Sequence, residues 1–331
     1  MSANVQLDRA RVTDALAAAA TAAGLAPSIH NTQPWRWRIH DGVADLHADE
    51  SRWLAAADPD RRMLVLSCGA ALHHARVALA AEGFAADVRV SGDDLDPNDA
   101  NPLATIAVSD RTPVTMDAMR HVQTLRIRHT DRRPPADVPV PPEAIDAICA
   151  AVRAVGVGIH VLADDGVLEL AAATDHAQRA QVLDDTVREE LANWSGTAAD
   201  VGVPDRAIPA WSPLTTVPGR DFGHAGSLDV SGEHDRHAVF AILYGATDAL
   251  ADWLRGGEAL SAAWLAAIEH NVALLPMSAA VEEPATRQAL RRILCGVGYP
   301  LIALRIAVAD GGDAAPRTPR LPAAQTVEIA R

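Results

Sequence analysis

Cysteine and aromatic side chains are scarce in this 331-residue chain. Its three cysteines, Cys68, Cys149 and Cys295, stand far apart, an odd number with no short spacing. That pattern argues against a disulfide framework and against a cysteine-ligated zinc site, and it points to a reducing, cytoplasmic compartment. Aromatics make up 4% of the residues, so Ala, Leu, Val and Ile must fill the core. No run of 18 apolar residues is free of charge, and no apolar stretch follows the opening SANVQLDRARVTD. Neither a membrane span nor a secretory leader is expected. Positive charge is also in deficit. A formal net charge of −14 argues against nucleic acid or anionic lipid as a bulk partner. GxSxG, a phosphate-binding glycine loop and a GxGxxG after a strand are all missing.

What is present is a large apolar fraction arranged in helices and strands. Residues 7–24 read as an Ala-rich helix stopped by Gly24 and Pro27. WRWRIHDGVADLH alternates around Asp41-Gly42, a two-residue hairpin signal. Residues 62–82 are apolar on nearly every face, as a core helix would be. ADVRV and LATIAVS read as strands around a polar loop at 91–102. Further helices are expected at 116–127, 141–155, 166–193 and 258–275, with strands at GIHVLAD and YPLIALRIAV. The second half thus repeats the grammar of the first, which implies an internal duplication. Residues 194–236 break the pattern. They are rich in Pro, Gly and Ser, yet carry Trp194, Trp211 and Phe222. A connection of that length is either a binding lid or a packed surface wrap.

One short stretch concentrates polar and special residues: LAPSIHNTQPWRWRIHDG, residues 25–42. It reads either as a Pro/Asn turn between helix and strand or as a loop that holds a polar, planar ligand. A second, RIRHTDRR at 126–133, is a dense basic cluster in an acidic chain. It reads as a solvated helix end or as an anion site. His73 and His74 are neighbours on a buried helix and point to different faces, so they read as core histidines rather than metal ligands. Cys295, beside Gly296, reads as a packed residue.

PSIHNTQPW, followed by a strand, resembles the loop of the nitroreductase family, Pro-Ser-x-x-Asn-x-Gln-Pro-Trp. Arg128, His129, Thr130 and Arg132 resemble its second signature, Arg-(Arg or His)-(Ser or Thr)-x-(Arg or Lys). WLAAIEHNVALLPMSAAVE resembles its buried helix leading into a flavin-facing turn, and PRTPRLP its basic C-terminal pair. The resemblance implies an α+β nitroreductase-like fold, FMN as cofactor and NAD(P)H as a possible reductant. In the two-subunit family each flavin takes the Arg signature from one subunit and the Pro-Ser-x-x-Asn loop from the other. Here the loop lies in the first half and the signature, the turn and the basic tail lie in the second. The chain is therefore similar to a fused homodimer with two pseudo-symmetric halves, 1–115 and 116–331, the second carrying the lid-like insertion. This order and length are similar to the Acg-like, dormancy-associated nitroreductase-like proteins of actinobacteria.

From the resemblance, Arg128, His129, Thr130, Arg132, Arg317 and Arg320 are assigned to the FMN phosphate and its surroundings. Pro27, Ser28 and Ile29 are assigned to the ring, and the Asn31 amide to its pyrimidine edge. Pro276, Met277 and Ser278 would face the ring near N5, with no catalytic side chain. Gln33, Pro34 and Trp35 would lock the loop. One complete site is expected per chain, in a monomer whose partners are small molecules. Three functions remain: an NAD(P)H-dependent reductase of nitroaromatics or quinones, an FMN-sequestering protein closed by its lid, or an interaction protein without flavin.

Overall fold

The computed structural model describes residues 9–91, 101–196, 200–230, 234–310 and 315–330; most of the polar loop expected at 91–102 lies outside them. Helix α1 (Arg9–Ala23) buries Val12, Ala15, Leu16, Ala19, Ala20 and Ala23 along one stripe. Strands β1 (Trp35–His40) and β2 (Val43–Ala48) form the expected hairpin. Its turn residues Asp41 and Gly42 both have positive φ, 47° and 81°, as a two-residue turn of this twist requires. Trp35, Trp37 and Ile39 face the core, while Arg36 and Arg38 face out. Helix α2 (Arg62–Ala81) follows, then β3 (Phe84–Val90) and β4 (Ala104–Arg111). After α3 (Met116–Ile127) comes α4 (Pro142–Ala154) and β5 (Gly158–Val161).

Helices α5 (Asp164–Leu183) and α6 (Asp185–Asn193) occupy the region read as one helix at 166–193. They are two because Asp184 is extended and caps α6, its Oδ1 accepting the N–H groups of Thr186 and Val187. The long irregular segment then leads to β6 (Val239–Gly245) and α7 (Leu250–Glu269). The expectation of a helix over 258–275 is corrected at both ends. The helix starts eight residues earlier, at Leu250, and stops at Glu269. Asn271, at φ 55°, turns the chain into strand β7 (Val272–Met277). Helices α8 (Ala279–Glu282) and α9 (Pro284–Ile293), strand β8 (Tyr299–Val308) and the short β9 (Val327–Ile329) complete the described chain. Cys295 is not packed: it lies exposed just after α9, at φ 51°, while Cys68 and Cys149 are buried.

Two units with the same topology result. One sheet runs β3-β4-β2-β1 and the other β7-β8-β6-β5, with every one of these neighbours antiparallel. Each unit follows the order helix, two strands, a 20-residue helix, two strands, with α8 and α9 added between the last two strands of the second. Arg62, Gly69 and Phe84 stand 188 positions before Leu250, Gly257 and Val272, their counterparts. The first unit joins its leading strands by Asp41-Gly42; the second inserts residues 162–238 at that place. Strand β9 returns to the first unit and pairs parallel with β1.

The two long helices cross at their eighth residues. A methyl group on Gly69 would sit 1.9 Å from the Leu254 carbonyl oxygen, and one on Gly257 would sit 1.8 Å from that of Leu66. Only glycine permits this approach, and alanines flank it along both helices. Among the described residues α2 alone is long and apolar enough to cross a membrane by composition, but it is buried inside the protein.

Candidate functional site

The loop between α1 and β1 is held in a conformation that side chains rarely adopt. His30, Asn31 and Gln33 have φ of 42°, 56° and 53°. Side chains over-determine it. Ser28 Oγ accepts the Gln33 N–H, and the Ile29 N–H donates to Ser67 Oγ on α2. Asn31 Nδ2 donates to the Gly202 and Pro319 carbonyls, and its Oδ1 accepts from Arg320 Nη1 at 2.9 Å. Gln33 donates to the Asp200 carbonyl and accepts the Leu321 N–H. The expected locking role of Gln33 is thus seen, with the inserted segment and the C-terminal tail as its anchors.

Beside this loop lies a cavity of about 340 Å³, within the range of roughly 300–1,000 Å³ for small-molecule sites. The first unit contributes Pro27–His30 from the loop and Met63, Leu66 and Ser67 from α2. From the second come Thr130 and Arg132, Thr174 and Gln178 on α5, Leu260 and Trp264 on α7, and Ile302 and Arg305 on β8. Leu275 to Ala279 form the β7 end. The inserted segment closes a further wall with Ile208, Pro209, Ser212, Pro213, Thr215, Pro218–Phe222 and His224.

Next to the cavity two arginines, Arg128 buried and Arg320 half-buried, have no carboxylate partner among the described residues. Arg128 and Arg320 both donate to the Leu25 carbonyl, at 3.2 and 3.5 Å, and form no ion pair among the described residues. The Arg128 guanidinium lies over the Trp264 ring at 4.5 Å, and Trp264 itself lines the cavity. Arg128 Nε and Nη1 and Arg320 Nε are buried and unpartnered. Burial and the neighbouring Arg320 push the Arg128 pKa well down; burial alone brings Arg320 to about 10. His74 beneath them is held neutral by burial and by Arg128. Two desolvated cations with free donors are the complement of an anion such as a phosphate. The chain contains no lysine, so all 29 basic residues offer the planar guanidinium fork that suits phosphate.

Arg132 is half-buried, and desolvation of its guanidinium lowers its pKa to about 10. Its Nη1 donates to the Ala207 carbonyl and its guanidinium faces the Phe222 ring at 5.5 Å, both in the inserted segment. That segment is fastened by Arg220, which donates to Gln181 Oε1, to Glu282 Oε2 at 2.8 Å and to His30 Nε2 at 2.8 Å. Burial, the largest single influence, pushes the Glu282 carboxyl up, but the Arg220 charge, the neighbouring His30 and hydrogen bonds from Ser278 and Arg220 together outweigh it and the net shift is downward.

Of the residues assigned from the sequence, Pro27, Ser28, Ile29, Thr130, Arg132, Pro276, Met277 and Ser278 line the cavity. Arg128 and Arg320 meet one layer behind it. Asn31 does not line the cavity; its amide holds the tail and the segment. His129 turns its Nδ1 to the Ile127 carbonyl, and Arg317 is exposed, its carbonyl accepting from Arg206. Neither joins the cluster. Sequence reasoning missed His30, Gln181, Arg220, Glu282 and Arg305. His30 occupies a variable position of the loop pattern, and nothing local marks the others.

No family model matches the chain. A Mycobacterium tuberculosis protein named "Putative NAD(P)H nitroreductase Rv3131" is 38% identical over 314 residues, 93% of this chain and 89% of that protein. Another, named "Putative NAD(P)H nitroreductase acg", is 34% identical over 315 residues, 94% of each. Among solved structures, a nitroreductase with bound FMN from Bacteroides fragilis is 13% identical with a TM-score of 0.41, covering 64% of this chain and 98% of its own.

Proposed function

Because the chain belongs to the nitroreductase family, we propose that it is an FMN-binding NAD(P)H reductase with one site, assembled from both of its halves. The observation that carries this reading is the pair of buried Arg128 and half-buried Arg320, with free donors and no carboxylate among the described residues, behind Trp264 of a cavity large enough for a flat ligand. From behind the wall they would supply positive potential for the phosphate, with the Thr130 hydroxyl lining the cavity near it. Arg132 would meet the polar edge of the ring, and the backbone of Pro27–Ile29 and of Pro276–Ser278 would border the ring itself. The chemistry that bound FMN supplies is hydride transfer from reduced nicotinamide to a nitroaromatic or quinone. The protein's part is to orient, to exclude water and to set the electrostatics. Accordingly no general acid or base is assigned.

A second reading has its own support. The inserted segment walls the cavity and is latched by Arg220, so a protein that holds FMN away from nicotinamide would be built in this way. Anaerobic stopped-flow reduction of the FMN-loaded protein separates the two. Saturable reduction by NADPH is the outcome for a reductase. No reduction by NADPH, together with prompt reduction by dithionite, is the outcome for a flavin-holding protein. Failure to take up FMN at all contradicts both.

A further inference from the structure

His30 is placed where it can read the second ligand of the cavity. It lines the cavity and is buried, and its ring stands edge-on to Phe222 with centroids 6.1 Å apart. Its backbone is left-handed, and so is that of Asn31 beside it. The two side chains part company there. Asn31 turns to the tail and accepts from Arg320 there, whereas His30 turns to Arg220 of the inserted segment.

The tautomer of His30 is set by its partner. Arg220 Nη2 lies 2.8 Å from His30 Nε2. A guanidinium only donates, so Nε2 carries the lone pair and the ring proton sits on Nδ1. Arg220 is itself held by Glu282 and Gln181, and Gln181 Nε2 donates to the same carboxylate oxygen at 2.7 Å. Burial first, and the Arg220 charge second, push the His30 pKa to about 3, so the ring is neutral at working pH. Its Nδ1 has no partner among the described residues.

We infer that His30 determines acceptor specificity: its neutral Nδ1–H donates to an oxygen of a planar nitro or quinone compound seated in the cavity. The inference rests on the reading of this cavity as a reductase site. A neutral donor suits such an oxygen because the group is uncharged in the ground state and gains negative charge as it is reduced. Rings without that oxygen leave the N–H unpaired in an enclosed space, which is unfavourable.

Two measurements test it. Calorimetric titration with nitrobenzene and with toluene, on the protein loaded with oxidised FMN and no reductant, compares wild type with His30→Phe. A single neutral hydrogen bond predicts a loss of roughly five- to tenfold for nitrobenzene with toluene changed less than twofold. FMN content, read by absorbance, should stay the same. Independently, nitrogen-15 spectra of histidine-labelled wild-type protein should show His30 as the Nδ1–H tautomer from pH 8 to pH 5. Equal losses for both ligands, no loss, or a loss of FMN instead of nitrobenzene overturns the inference, and so does an Nε2–H tautomer. Wild-type protein that takes no FMN refutes the reductase reading instead; the tautomer can still be measured on it, and an Nε2–H tautomer there overturns the inference separately.

Discussion

Arg132 and Arg133 are neighbours in the chain and opposites in surroundings. Arg133 pairs with Asp131, Nη2 to Oδ2 at 2.7 Å and Nε to Oδ1 at 2.9 Å. Among the described residues Arg132 has only the Ala207 carbonyl and the Phe222 ring, and it lines the cavity. Arg132→Ala is therefore expected to weaken FMN binding by about 1.5–3 kcal/mol, the worth of one charged hydrogen-bonding partner. Arg133→Ala should weaken it less. Fluorescence titration with FMN checks this, and equal effects would contradict it. The loop and the basic signature were legible as motifs because the residues of each are contiguous. The role of Asn31 was not, because its partners Gly202, Pro319 and Arg320 are far away in sequence.

Asp58 carries a pH dependence of its own. Its carboxylate accepts the Leu64 N–H in the first turn of α2, but burial pushes its pKa from 3.8 to about 7. Between those values the folded protein keeps a proton that the unfolded chain has released. This contribution to stability is thus present below the unfolded pKa and is lost as pH rises toward 7. Relative to Asp58→Asn, wild type should lose on the order of 3 kcal/mol from pH 4 to pH 7 in denaturant titrations. A gain over that window would contradict the assignment.

At the scale of elements, the crossing of α2 and α7 is the point of least tolerance. The methyl group of Gly257→Ala would meet the Leu66 carbonyl oxygen and the Ala70 nitrogen, both backbone atoms that cannot swing aside. The expected cost is roughly 2–3 kcal/mol, read as a fall in the denaturation midpoint. An unchanged midpoint would mean that the helices do not touch there. The same glycines explain why the start of α7 was hard to read. Asp252, Arg255, Gly256 and Gly257 resemble a polar, broken stretch until the partner helix is in place. The end was missed for a different reason: VALLPM is a short apolar run, and periodicity alone does not separate a strand from a buried helix. The hairpin at Asp41-Gly42 was readable because its turn chemistry is local. In the inserted segment the aromatics gave only the hint of packing. Phe222 does pack, and Trp211 is exposed, yet the residue that fastens the segment is Arg220.

For the whole molecule, the repeated topology and the shared cavity make a specific claim about assembly. The loop comes from one unit and Thr130, Arg132 and Trp264 from the other, so a single chain holds every residue assigned to the site. The repeated order of helices and strands was visible in the sequence. The place of the insertion, between β5 and β6 where the first unit has only Asp41-Gly42, needed the strand pairing to be seen. The most direct measurement is the FMN stoichiometry of the purified protein, with flavin absorbance set against chain concentration and the mass of the loaded species determined by sedimentation. One FMN bound to a monomer is the expected result. No FMN after reconstitution, two per chain, or FMN bound only by a dimer would contradict a single site built from the two halves of one chain.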